Sequence, residues 1–185
     1  MILRAGARAL AVALASSLAA SCGDAPSKED AAAKILGFAA VTPKNGSTVR
    51  GVVAFTQRGD RVYVTGQLFE LFPGPHSIYI HSVGNCSSPN AASAGPVWNL
   101  PGNDGKKRTG DLPQIFAGTE GRADIAFTLR DVTVNTGKPN DVIGHAVVVH
   151  ADVDPDPRAE FGVRNGWLAC GVIKATETQS LKDLL

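Results

Sequence analysis

The chain has 185 residues, of which 19% are charged and 44% are hydrophobic, and its formal net charge at pH 7 is +1. This balance argues against an intrinsically disordered chain, and it lacks the basic excess that would favour a nucleic-acid partner. The length suits one compact domain with short extensions. The 20 glycines and 11 prolines, set among short alternating apolar runs, favour an all-β domain.

The first 21 residues have the three parts of a secretory signal. Arg4 and Arg8 supply positive charge, residues 9–20 are almost all apolar or small, and Ser21 and Cys22 follow. The apolar run is shorter than the roughly 20 residues that a membrane-spanning helix needs. Residues 18–22, Leu-Ala-Ala-Ser-Cys, resemble a bacterial lipobox, which implies a signal peptide over residues 1–21 and a lipid on Cys22. An ordinary signal with an incidental cysteine is the alternative.

A lipid on Cys22 would anchor an exported protein to a membrane of the bacterial envelope, on its periplasmic or surface side. Residues 22–35 are polar and Ala-rich, and we interpret them as a flexible tether between the lipid and the domain. The chain has three cysteines, so a lipid on Cys22 leaves Cys86 and Cys170 free to pair in an oxidising compartment.

Strand patterns begin near residue 37, and the folded domain is predicted to cover residues 36–174. The predicted strands cover residues 39–41, 52–57, 61–69, 76–83, 122–132, 141–150 and 167–173. Seven or eight short strands with turn signals between them predict a β-sandwich or barrel. Two long loops, residues 87–114 and 151–166, interrupt the strands, and such loops are uncommon unless they are functional or pinned. Residues 175–185 are predicted to form a polar tail with weak helical character.

Six segments carry a resemblance to one family. They read LFPGPHSIYIH at 71–81, GNCSSP at 84–89, SAGPVWN at 93–99, GDL at 110–112, IGHAVVVH at 143–150 and LACGVI at 168–173. Their order and spelling resemble the bacterial Cu/Zn superoxide dismutases, from about residue 41 to residue 173. The resemblance implies a Greek-key β-barrel of eight strands. It also implies a disulfide between Cys86 and Cys170, in agreement with the cysteine parity.

The same resemblance assigns four copper-ligand positions, all of which are histidines in the family. His81 and His150 keep the histidine, whereas Tyr79 and Val97 replace the other two, and Val97 stands at the position that bridges copper and zinc. A valine offers no lone pair, and a tyrosine offers only a phenol whose ordinary pKa is near 10. The copper site is therefore predicted to be half dismantled.

The zinc positions are changed more thoroughly. Asp111 remains, but Arg108 stands where the last zinc histidine is expected, and residues 99–110 contain no histidine. Trp167 replaces the arginine that attracts superoxide in the family. Because zinc requires about four ligands, we do not expect it to bind here.

We therefore predict a superoxide dismutase-like pseudoenzyme, a membrane-anchored lipoprotein that acts as a non-catalytic binding or structural module, most simply without a metal cofactor. Two alternatives stay open, namely a copper-binding protein and residual dismutase activity, both using His81 and His150. Val97, Trp98 and Trp167 are predicted to fill the vacated site with apolar contacts, although the aromatic side chains could instead line a pocket for a small ligand. The sequence identifies no protein partner.

Overall fold

The computed structural model describes residues 35–105, 107–151 and 166–179. The predicted signal peptide, Cys22 and the tether up to residue 34 lie outside the described residues, as does most of the second long loop. Within the described part, no helix is both long enough and apolar enough to cross a membrane.

The described residues form nine strands and one short 3-10 helix. They are β1 Ile35–Pro43, β2 Arg50–Arg58, β3 Arg61–Phe69, β4 Gly74–His81, the 3-10 helix Ala92–Ala94, β5 Ile115–Ala117, β6 Ala123–Leu129, β7 Ala146–His150, β8 Trp167–Val172 and β9 Lys174–Gln179. The all-β prediction is confirmed, and the predicted strands match this order except at β5 and β9, which the sequence patterns missed.

The strands make a nearly closed antiparallel barrel. Their order is β5-β4-β7-β8-β1-β2-β3-β6, and β9 pairs with β1 beside β8. The two end strands, β5 and β6, are joined by a tight turn in which the Gly118 N–H bonds to the Arg122 carbonyl at 2.9 Å. Closure of this kind leaves few unpaired strand edges.

The prediction that residues 175–185 form a polar tail with weak helical character is wrong for residues 175–179, which belong to β9. β1 pairs with β8 only through Thr42 and Pro43, so the rest of that β1 edge needs other partners. The chain continues past β8 and satisfies this edge, with Phe38 opposite Lys174 and Gly37 opposite Ala175. The Thr176 hydroxyl also donates to the Ile35 carbonyl. Pairing with β1 thus makes a strand of a polar segment whose own strand propensity is weak.

Two apolar clusters lie on opposite faces of the sheet formed by β4, β7 and β8. Val147 and Val149 point into the barrel core, whereas Ala146 and Val148 belong to a second, smaller cluster with Cys170. Side chains alternate along a strand, so the faces of β7 are set by this period of two. The second face is covered by the loop that follows β4.

Candidate functional site

The candidate site lies on the covered outer face of β4 and β7. Tyr79 and His81 are two residues apart on β4, and they share this face for that reason. The antiparallel register places Tyr79 opposite Val148 and His81 opposite Ala146, while His150 stands opposite Ser77 at the end of β7. On the far side of β7, His150 pairs with Trp167 of β8.

His81 and His150 face each other through their ring nitrogens. Their Nε2 atoms are 3.3 Å apart. The His81 Nδ1 atom donates to the Gly95 carbonyl at 2.6 Å, because a carbonyl can only accept. This hydrogen bond fixes the neutral tautomer of His81 with its lone pair on Nε2, pointing towards His150.

Both histidines are neutral at physiological pH. Burial, together with the positive charges of Arg108 and of His81 in its protonated form, lowers the pKa of His150 to about 3. Burial also lowers the pKa of His81, although its hydrogen bond to Gly95 opposes the shift. The His81 side chain is almost fully buried, with 1% of the residue exposed. With the His81 lone pair on Nε2, the His150 Nε2–H donates to it, so the two rings form a neutral hydrogen-bonded pair and not a cationic cluster.

Aromatic rings pack around the histidine pair. The Tyr79 ring meets His150 edge-on, with centroids 4.7 Å apart. The Trp167 ring meets His81 edge-on at 4.7 Å and lies 5.6 Å from His150. Trp167 therefore contacts both histidines, as expected of a residue that fills the site.

Trp98 lies elsewhere. It belongs to the barrel core and stacks on His145, with ring centroids 4.2 Å apart. Trp98 therefore does not help to fill the vacated site as predicted, because it follows Val97 and alternation turns it to the other face. The His145 Nδ1 atom bonds to the Ser82 carbonyl at 3.1 Å, so this histidine ties the end of β4 to the start of β7.

His76 lies on the face of β4 opposite to that of Tyr79 and His81. Its Nε2 atom bonds to the Phe72 carbonyl at 2.7 Å, and the residue is buried at the start of β4. The Nδ1 atom of His76 is buried and has no hydrogen-bond partner among the described residues.

The substituted ligand positions also come together. Val97 forms an isolated bridge with His81, and Asp111 forms another with Tyr79. The guanidinium of Arg108 pairs with the Asp111 carboxylate at 2.8 Å and lies 5.4 Å from the Tyr79 ring centroid. Each residue thus stands near β4, at the face that holds His81.

These residues do not fit a copper–zinc centre. Val97 presents a hydrocarbon side chain, and the Asp111 carboxylate is bonded to Arg108. In the residue ranges that the structure covers, no group of three or more His, Cys, Asp and Glu side chains is arranged to hold a metal ion. Among the described residues of this site, the ring nitrogens of His81 and His150 are the two possible metal-ligand nitrogens that face each other.

The predicted disulfide is confirmed. Cys86 and Cys170 are bonded, with Cα atoms 5.7 Å apart and a sequence separation of 84 residues. The bond joins the loop after β4 to β8, beside the smaller cluster that contains Cys170. The Lys44 ammonium donates to the Cys86 carbonyl at 2.5 Å, which adds a contact from the turn after β1.

Sequence reasoning missed the Gly95 carbonyl, which sets the tautomer of His81. A backbone group leaves no signal in residue type, although Gly95 lies in the segment 93–99 that carries part of the family resemblance. Sequence reasoning identified Arg108 as a substitution but did not anticipate that it pairs with Asp111.

Comparisons with known proteins agree with this architecture. The family model described as "Copper/zinc superoxide dismutase (SODC)" matches residues 49–173. Superoxide dismutase [Cu-Zn] 2 of Brassica juncea is 34% identical over 138 residues, which cover 68% of this chain and 89% of the plant protein. The crystal structure of the clock protein EA4 is similar with a TM-score of 0.62 and 25% identity, covering 78% of this chain and 96% of that one.

Proposed function

Because this chain belongs to the Cu/Zn superoxide dismutase family while most of its metal-ligand positions carry other residues, we propose that it is a pseudoenzyme that serves as a binding or structural module. The observation that carries the proposal is the ion pair between Arg108 and Asp111. Asp111 is the one carboxylate that the chain keeps at a zinc position. In this ion pair it is bound by Arg108, whose side chain has no lone pair to offer a metal. Copper cycling also needs several nitrogen ligands in a fixed geometry, and Tyr79 and Val97 supply none.

The lipobox-like segment that ends at Cys22 supports a location at the bacterial envelope. In this proposal the protein is exported, carries lipid on Cys22 and works next to the membrane without entering it. The Cys86–Cys170 disulfide is in keeping with an oxidising compartment.

The dismutase assay tests the proposal. The purified protein, incubated with copper and zinc, is expected to dismutate superoxide no faster than its His81→Ala/His150→Ala variant, because the ligand set is incomplete. The measurement is the rate of superoxide loss for both proteins at equal metal content.

The Tyr79→His/Val97→His variant is the matched control, since it returns nitrogen donors to two positions of the same barrel. It is expected to bind copper more tightly than the wild-type protein. An enzyme-like dismutation rate in the wild-type protein, lost in the His81→Ala/His150→Ala variant, would contradict the proposal.

A second candidate function is copper binding by His81 and His150. It is favoured by one observation, the 3.3 Å approach of two neutral Nε2 atoms, one of which has its tautomer fixed by Gly95. Imidazole nitrogen suits copper, and an outer hydrogen bond of this kind orients a ligating histidine.

Copper titration by calorimetry tests this candidate. The wild-type protein is expected to bind copper at least about tenfold more tightly than the His81→Ala/His150→Ala variant. His145→Ala removes a histidine that stacks on Trp98 away from the pair, and it is expected to keep the wild-type affinity. Equal affinities in the wild-type protein and the double variant would rule the candidate out.

A further inference from the structure

The loop after the 3-10 helix is fastened to β4 at its far end. The Ile80 N–H bonds to the Gly110 carbonyl at 2.9 Å, and the Trp98 N–H bonds to the Ile80 carbonyl at 2.9 Å. Gly110 approaches so closely that an added Cβ would lie 2.1 Å from the Ile80 carbonyl oxygen. The short stretch 109–111 therefore runs directly along the strand that carries Tyr79 and His81.

Arg108 holds this stretch through three contacts with one carboxylate. Its backbone N–H bonds to Asp111 Oδ2 at 2.6 Å, its Nε bonds to Oδ1 at 2.9 Å, and its Nη2 lies 2.8 Å from the same Oδ1. The guanidinium also lies over the Tyr79 ring. One cation thus contacts both the loop carboxylate and an aromatic side chain of β4.

The setting makes this ion pair stronger than an ordinary surface pair. The Asp111 side chain is only 19% exposed, whereas that of Arg108 is 47% exposed. Charge-assisted hydrogen bonds are about twice as strong as neutral ones, and a cation over an aromatic face adds a further attraction. Isolated, fully exposed pairs contribute little by comparison.

Two positions that the family resemblance assigns to zinc are therefore joined by a salt bridge. We infer that Arg108 replaces the zinc ion as a built-in cation that fastens the long loop to β4, so that the loop keeps its conformation without any metal. The inference concerns the loop alone and holds whether or not the module has a partner.

Hydrogen exchange measured by mass spectrometry on the full chain tests the inference. In Arg108→Ala, amides of residues 98–111 are expected to exchange about tenfold faster than in the wild-type protein, while those of β2 and β3 stay protected. Arg122→Ala is the matched control, because it removes a 2.8 Å pair with Asp124 on an exposed face of β6. Exchange of residues 98–111 in that variant is expected to be unchanged.

Metal addition and removal complete the test. Excess zinc and a strong chelator are each expected to leave the exchange of residues 98–111 in the wild-type protein unchanged. The inference would be overturned if zinc slowed the exchange of residues 98–111, or if the chelator accelerated it. It would also be overturned if these amides exchanged in Arg108→Ala at the wild-type rate. If Arg108→Ala does not fold, Arg108→Lys decides, since lysine keeps the charge but loses the planar fork, and an intermediate acceleration is expected. If the proposed function is wrong, the protein will show dismutase activity, which hydrogen exchange does not measure. The two tests can therefore fail independently.

Discussion

Removal of the Cys86–Cys170 disulfide is expected to lower the free energy of unfolding by about 4 kcal/mol. The bond closes a loop of 84 residues, so it withdraws a large amount of chain entropy from the unfolded state. It also joins the loop after β4, which covers the outer face of the sheet, to β8. We expect the Cys86→Ala/Cys170→Ala variant to show this loss in denaturant unfolding followed by tryptophan fluorescence.

The wild-type protein with its disulfide reduced is the control, because it keeps both sulfur atoms and lacks only the bond. It is expected to unfold at nearly the same denaturant concentration as the double variant. If the reduced protein were as stable as the oxidised one, then lost packing around the buried Cys170 would account for any effect in the variant, and the loop-closure argument would be wrong.

The loss of the disulfide is expected to affect the histidine pair as well as global stability. Gly95, whose carbonyl fixes the tautomer of His81, lies in the segment that begins at Cys86. Ala91 and Ala94 of that segment pack in the smaller cluster with Cys170. The Cys86–Cys170 disulfide thus stabilises the fold and also holds the segment that positions His81.

The strands could be predicted from sequence because alternation and turn residues are local signals. The 61–69 strand, with the Gly59-Asp60 turn before it, is found at Arg61–Phe69. In contrast, β9 depends on an open edge of β1, which is a property of the assembled barrel and not of residues 174–179 themselves. The predicted strand at 141–150 begins only at Ala146, because residues 142–145 form a turn in which Gly144 has a φ of +85°.

The site was predictable where two strands build it. The period of two places Tyr79 and His81 on one face, and the family resemblance pointed to His150. The contacts made by loops were not predictable, since the pairing of Arg108 with Asp111 depends on the path of the backbone between them. The resemblance therefore predicts the fold better than the chemistry.

Asp141 is the clearest case of a residue that the sequence analysis did not single out. It is 8% exposed, and its carboxylate accepts hydrogen bonds from the backbone N–H groups of four residues. The donors are Asn135 and Ile143 to Oδ1, and Thr136 and Gly137 to Oδ2. Burial alone would raise the pKa of Asp141, but these four donors outweigh it, and the pKa lies below its ordinary value of 3.8. One carboxylate thus organises the turn between β6 and β7.

Asp141→Asn is expected to destabilise the protein by roughly 3 kcal/mol at pH 7, because either orientation of the amide turns its NH₂ group towards backbone N–H groups. Since the folded pKa is lowered, the carboxylate stabilises the fold above pH 3.8, and this contribution is lost as the pH falls through the folded value. The difference in free energy of unfolding between the wild-type protein and Asp141→Asn is therefore expected to be largest at neutral pH and to shrink below about pH 4.

Asp124→Asn, at an exposed side chain paired with Arg122, is the control and is expected to change the free energy of unfolding by less than about 0.5 kcal/mol. Denaturant unfolding of the three proteins from pH 7 down to pH 3 measures the effect. A difference that stays constant over this range would mean that packing, and not the charge of Asp141, stabilises the turn.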